Sequence, residues 1–218
     1  MLTAGSVATY NDAVRQLRDA AENRQEELAA ERAADRAERA VAEAEQRATD
    51  AFLAINRHRD VAEERLREAQ DRFSTAEDRL AGVSSELDRL LQVVGSGDRT
   101  DVLFALQDVG FSLDDLGFAV QDAEWALQDT LVTVADLEAT AGDLEAAIAA
   151  TGRREVNASD EIQIETARED ASRYRQEVAQ LTGQLNALQP MAQELWVEAT
   201  EAAGTRDVSQ ERFGYGAP

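Results

Sequence analysis

The sequence is marked by what it lacks. Among 218 residues there are no cysteines and no lysines, two prolines and one histidine. The absence of cysteine excludes disulfides, thiolate metal sites and a cysteine nucleophile. The single histidine, His58, excludes a metal site built from several histidines, and we interpret it as a helix-surface residue because no nucleophile partner is evident. Aromatic residues make up only 5% of the chain, so any clustering of them is informative.

Basic residues are also scarce, and acidic charge dominates. The chain carries 44 acidic residues against 22 arginines, which gives a net charge of −22 and a pI of about 4.3. Such self-repulsion destabilises a compact chain in dilute salt and is screened in high salt. A halophilic source therefore fits, and the codon bias of a GC-rich genome is the alternative. The acidity argues against nucleic acid as a partner, because nucleic-acid binding requires a basic surface.

Long hydrophobic runs are missing as well. The longest uncharged stretch, residues 178–193, is rich in glutamine and asparagine, unlike a membrane span. The first residues lack the charged and strongly apolar segments of a signal peptide. We therefore expect no membrane span, and the localisation stays open between the cytoplasm and an assembled particle.

What the chain does contain is typical of long helices, since alanine and glutamate are its commonest residues. Glycines interrupt the helical pattern at residues 95–97, at Gly152 and at Gly204. Because glycine commonly follows the last helical turn, they predict helices over about 50–94, 100–150 and 159–203. Ser159, followed by two acidic residues, is the predicted N-cap of the third helix. Pro190 is expected to kink that helix without ending it.

Each predicted helix carries an apolar seam in which steps of three and four residues alternate. Seams run from Leu66 to Val94 in the first helix and from Ile164 to Ala202 in the third. The seam of the second consists of Val102, Leu106, Val109, Leu113, Leu116, Val120, Ala123, Leu127, Thr130, Val134, Leu137, Ala141, Leu144 and Ile148. Such seams are buried against other helices by knobs-into-holes packing.

These observations predict an all-α fold, an elongated antiparallel three-helix bundle or coiled coil over residues 50–203. Helices of about 45–50 residues are roughly 70 Å long, and short connections favour antiparallel neighbours. Residues 1–49 are predicted to form a long N-terminal helical arm, and residues 204–218 a flexible C-terminal tail.

The N-terminal arm (residues 1–49) has no partner of matching length within the chain. Its apolar residues are mostly alanine, and pairs such as Asp35–Arg39 and Glu43–Arg47 support the helix at four-residue spacing. We interpret it as an arm that pairs with another chain. The alternatives are a solvated single helix and an arm that folds back through a bend.

An aromatic ladder is the most informative pattern in the chain. It consists of five residues at intervals of seven, Phe104, Phe111, Phe118, Trp125 and Val132. With the seam at heptad positions a and d, the aromatic ladder falls at position f, on the opposite side of the helix. We interpret it as an intermolecular protein-docking face. The alternative is that the N-terminal arm or the C-terminal tail, which includes the sequence RFGYGAP, covers it within the chain.

An aspartate ladder runs beside it. Its members each follow one of the aromatic residues by four positions in the sequence: Asp108, Asp115, Asp122 and Asp129. Residues seven apart on a helix are about 10 Å apart, too far to share a metal ion, so we interpret these residues as a solvated acidic face. No phosphate-binding loop, nucleophile elbow or HExxH motif is present. We therefore predict no catalytic residues, no metal and no cofactor.

The sequence thus favours a non-enzymatic structural or assembly protein that acts through helix–helix contacts. A virion, tail or other particle component of a halophilic host suits its composition. Its partners would be proteins, either further copies of itself or other assembly subunits. The alternative is a soluble coiled-coil adaptor or regulatory module that binds one specific protein.

Overall fold

A computed structural model describes residues 4–96, 98–152 and 157–204, with side chains from residue 13 onward except that of Ser96. It contains three helices, α1 (Ala4–Ser96), α2 (Arg99–Ala150) and α3 (Ala158–Ala202), and no β-strand within those ranges. The prediction of an all-α three-helix bundle is confirmed. Helix α3 continues through Pro190, as predicted.

The ends of the helices follow from capping side chains and glycine. Asp98 caps α2 by accepting hydrogen bonds from the backbone N–H groups of Thr100 (2.7 Å) and Asp101 (3.0 Å). These N–H donors, Asp101 first, lower the pKa of the Asp98 carboxyl, because they stabilise its charged form. After α2 and α3, Gly152 and Gly204 adopt positive φ angles of 68° and 69°, the left-handed conformation that glycine enters without strain.

The predicted N-cap of α3 was wrong. Asn157, two residues before Ser159, is the cap, and its side-chain oxygen accepts a hydrogen bond from the Ser159 N–H at 3.2 Å. Both residue types are good N-caps. Here the extended backbone at Asn157 decides where the helix starts.

Side-chain pairs between helices fix their directions. Arg72 of α1 pairs with Asp122 of α2, and Arg79 pairs with Asp115. Residue numbers therefore increase along α1 as they decrease along α2, so the two helices are antiparallel. Helix α3 is antiparallel to α2, with its Arg168 on Glu145 and Arg175 on Glu138. It therefore runs alongside α1 in the same direction, and its Gln163 donates a hydrogen bond to Asn56 of α1 at 2.8 Å.

The core is built from the three predicted seams. Val109, Val134, Leu137 and Leu144 of α2 are fully buried, and Thr130 lies among them with its hydroxyl donating to the Ala126 carbonyl at 2.8 Å. Seam residues near the first interhelical connection are less buried, with Val94 40% exposed. The seams thus close the bundle most completely along the middle of α2.

Residues 13–43 of α1 take no part in this core. Side chains 13–43 are all exposed, and Ala44 is the first buried residue among the described side chains of α1. Because α1 is one continuous helix, the alternative of a bend that returns the N-terminal arm over its own bundle is not found among the described residues. The predicted Glu43–Arg47 pair is formed at 3.4 Å. The division into arm and bundle, and the pairing of the arm with another chain, stay predictions.

Candidate protein-docking face

All five residues of the aromatic ladder lie on the outer face of α2 and are exposed. The exposed fractions are 62% for Phe104, 54% for Phe111, 69% for Phe118, 58% for Trp125 and 62% for Val132. Neither α1 nor α3 covers them. Except for Gly204, the C-terminal tail (residues 204–218) lies outside the described residues.

The neighbouring helices explain why the aromatic ladder is left uncovered. Helix α1 packs on the side of α2 that carries the aspartate ladder. Helix α3 packs on the other side, where it pairs with Glu138 and Glu145. The seam faces both helices, and position f points directly away from it. A helix in such a bundle needs only one apolar face, so the second apolar face of α2 serves no purpose in the core.

The aspartate ladder is more than a solvated acidic face. Three of its members pair with arginines of α1, in the contacts Arg89–Asp108 (3.4 Å), Arg79–Asp115 (3.6 Å) and Arg72–Asp122 (3.7 Å). These side chains are 45–63% exposed, so each pair contributes at most about 1 kcal/mol. Their main effect is to reduce the negative surface charge along this edge of the aromatic ladder, because an arginine lies beside each of these three aspartates.

A largely buried ion pair links α1 to α3, and sequence reasoning missed it. Arg59 Nε lies 2.8 Å from Asp170 Oδ2, with the two side chains 25% and 13% exposed. Asp170 also contacts Arg173 Nη2 at 2.9 Å. The Nε–H of Arg59 has no hydrogen-bond geometry towards any described acceptor despite the short distance, and its buried Nη2 is likewise unsatisfied, so the contact is an ion pair only. The available signal was spacing, since Arg59 continues the seam of Ile55, Ala62 and Leu66.

The remaining surface offers little for chemistry. Among the described residues, no group of three or more histidine and carboxylate side chains is placed to hold a metal ion. His58 lies partly exposed on α1. A groove between α1 and α3 is lined mainly by apolar side chains, among them Phe73, Leu80, Leu188 and Met191. Within the described ranges, no helix is long and apolar enough to span a bilayer.

Comparison of the chain with protein-family models, with curated proteins and with solved structures finds no match in any of the three. Any functional assignment therefore has to come from the chain itself.

Proposed function

We propose that this chain is a non-enzymatic structural or assembly protein that acts through helix–helix contacts. The observation that carries the proposal is the exposure of the aromatic ladder along the outer face of α2. An aromatic side chain has about 150–250 Å² to bury, so at 54–69% exposure the ladder presents on the order of 500 Å² of apolar surface. That is near the upper end for the largest apolar patch of a soluble monomer.

The size of this surface indicates what kind of partner it needs. Burying roughly 500 Å² at about 25 cal/mol per Å² yields about 12 kcal/mol. Association costs an estimated 4–15 kcal/mol in lost freedom, so the aromatic ladder alone roughly breaks even. A partner must therefore bring a matching apolar surface of its own. The strict seven-residue spacing favours a helix, because a helix that coils around α2 meets every seventh residue.

The composition supports a place in a larger particle. A net charge of −22 with arginine as the only strong base suits a protein that works in high salt, where the repulsion between acidic neighbours is screened. A virion, tail or filament component of a halophilic host combines this acidity with a rod-like shape and repeated contacts between copies. The alternative is an adaptor that binds one different protein. Stoichiometry distinguishes the two, because a particle component should associate with copies of itself and an adaptor should be monomeric without its partner.

The test compares two serine variants that each remove one exposed apolar side chain. Phe118→Ser changes the centre of the aromatic ladder, and Ile162→Ser changes a similarly exposed position on α3 (69% and 62% exposed). Light scattering in about 2–3 M KCl, where charge is screened, should show assemblies for the wild type and for Ile162→Ser. Phe118→Ser should weaken association by at least about tenfold, as loss of a central anchor does.

Neither substitution should alter folding, because changes at exposed positions shift stability by about 0.5 kcal/mol or less. Circular dichroism checks this point. A wild-type chain that is monomeric in high salt, at every concentration tested, contradicts a structural role and favours the adaptor. Equal association of the wild type and Phe118→Ser removes the aromatic ladder from the interface.

A further inference from the structure

The exposed half of α1 has properties that match the aromatic ladder. Residues 13–43 form 31 consecutive helical residues with no buried side chain, a length of about 46 Å at 1.5 Å per residue. Phe104 to Val132 span about 42 Å on the same basis. The stretch holds six arginines and eight acidic residues, so it is nearly neutral in a chain of charge −22. It is thus the long helical surface that the acidic bundle repels least.

We propose that the N-terminal arm of one copy docks, antiparallel to α2, on the aromatic ladder of a second copy. The inference rests on the proposed function and names the occupant of its docking face. The two partners must belong to different copies, because α1 is a single continuous helix that carries its own arm away from its own aromatic ladder.

The register of this contact follows from the seven-residue spacing. One face of the arm presents Val14, Ala21, Leu28, Asp35 and Ala42, all of them exposed. In antiparallel order these residues meet Val132, Trp125, Phe118, Phe111 and Phe104 respectively. Leu28 then lies on Phe118, and Ala21 leaves room for the large indole of Trp125. Asp35 is the one charged member of this face.

Charge selects the antiparallel direction. Arg18, Gln25, Arg32 and Arg39 each follow a member of the arm face by four residues. The members of the aspartate ladder likewise follow the aromatic ladder by four. Two antiparallel helices are related by a twofold axis perpendicular to both, so these equivalent flanks meet each other. Three ion pairs then become possible, each with its partners within one residue of the same height along the helices: Arg18 with Asp129, Arg32 with Asp115 and Arg39 with Asp108.

A parallel arrangement loses this match. Parallel packing exchanges the two flanks of one helix, so the flank of the arm with Arg24, Glu31 and Glu38 would lie along the aspartate ladder, with two acidic residues for one arginine. Like charges in such positions are destabilising. The antiparallel direction instead adds cations to a row whose carboxylates already lie 3.4–3.7 Å from the arginines of α1.

The geometry leads to an open assembly. Residue 28 of one copy lies level with residue 118 of the next copy. Within that second copy, the ion pairs between α1 and α2 place residue 118 level with residue 76 of α1. Successive copies therefore point in the same direction with a shift of 48 residues, about 72 Å. A head-to-tail contact without closure generates filaments. Each junction buries on the order of 1,000 Å², at the lower limit for a specific interface, so assembly should depend on concentration.

The test uses the absence of cysteine, which allows one reactive thiol to be placed in each full-length variant. The two positions chosen are Arg24 on the arm and Gln121 on α2, both exposed. In the proposed contact they lie on facing flanks, within one residue of the same height along the helices, and each is changed to cysteine (Arg24→Cys, Gln121→Cys). A mixture of these two variants in high salt should give a covalent two-chain product with a short bis-maleimide. Gln107→Cys is the matched control, with the same residue type and heptad position about 21 Å further along α2.

The expected result is at least a fivefold excess of the Arg24→Cys/Gln121→Cys product over the Arg24→Cys/Gln107→Cys product. Equal yields, or bonds only between two Gln121→Cys chains, would overturn arm-on-ladder docking. Assembly of the wild type by light scattering, combined with no Arg24→Cys/Gln121→Cys product, removes this docking mode and leaves the structural role standing. A wild-type monomer removes both.

Discussion

At the scale of single residues, the ion pair between Arg59 and Asp170 is the interaction whose loss we expect to change the free energy of unfolding most. Asp170 keeps a second partner in Arg173, whereas Arg59 has buried nitrogen atoms and no described partner other than Asp170. We expect Asp170→Ala to lower the free energy of unfolding by about 1–3 kcal/mol, because it leaves a largely buried guanidinium uncompensated. Arg59→Met should change it by less than about 1 kcal/mol, since methionine can fill a seam position.

Urea denaturation measures both changes, with Glu63→Ala as the control. Glu63 and Arg67 form an ion pair of similar length, 2.9 Å, but their side chains are 51% and 68% exposed. Loss of that pair should cost less than about 0.5 kcal/mol. If Arg59→Met is as destabilising as Asp170→Ala, the pair contributes through mutual attraction and not through the burial of an unsatisfied cation.

At the scale of helices, the same glycine-to-alanine change should have opposite signs at different places. Gly82 and Gly117 lie inside helices, and a Cβ added at either meets no atom within 4 Å. Alanine there should raise the free energy of unfolding by about 0.5–1 kcal/mol, because it removes freedom from the unfolded chain. Gly152→Ala and Gly204→Ala should lower it by about 1–2 kcal/mol, since both positions have positive φ. Urea denaturation of the four variants in dilute buffer tests the pattern.

The helix scale also shows where sequence reasoning succeeds. The seam of α2 and the glycines at its end were predictable, because heptad spacing and left-handed caps are local properties of the chain. Asn157 was missed because two good capping residues stand two positions apart, and the choice between them depends on the backbone path. Arg59 was missed because a seam defined by apolar residues passes over a charge.

The candidate site divides in the same way. The position of the aromatic ladder opposite the seam was predictable from spacing alone. The pairing of Asp115 with Arg79, and of Asp122 with Arg72, was not, because it depends on the register between α1 and α2. Seams repeat every seven residues, so the seams alone allow several registers that differ by whole heptads. The length of the connection between the helices selects among them.

At the scale of the whole molecule, the balance between repulsion and ion pairing predicts a response to salt. The net charge of −22 acts across the whole surface, whereas the interhelical pairs of α1 and α2 are exposed and individually weak. Repulsion should therefore dominate, and screening should stabilise the fold. Raising KCl from about 0.1 M to about 1 M shortens the Debye length from roughly 10 Å to roughly 3 Å. The Tm should rise over that range and then flatten.

Self-association would also raise the Tm, because anything that binds only the folded state stabilises it. The measurement is therefore best made on Phe118→Ser, whose association is expected to be at least about tenfold weaker. Helical circular dichroism is followed on heating at several KCl concentrations, at a protein concentration where light scattering shows this variant to be monomeric. A Tm that rises with salt in this variant shows that charge repulsion within one chain opposes folding. A Tm that falls shows that the exposed arginine–carboxylate pairs outweigh the net charge, and it removes the physical basis for placing this protein in a high-salt environment.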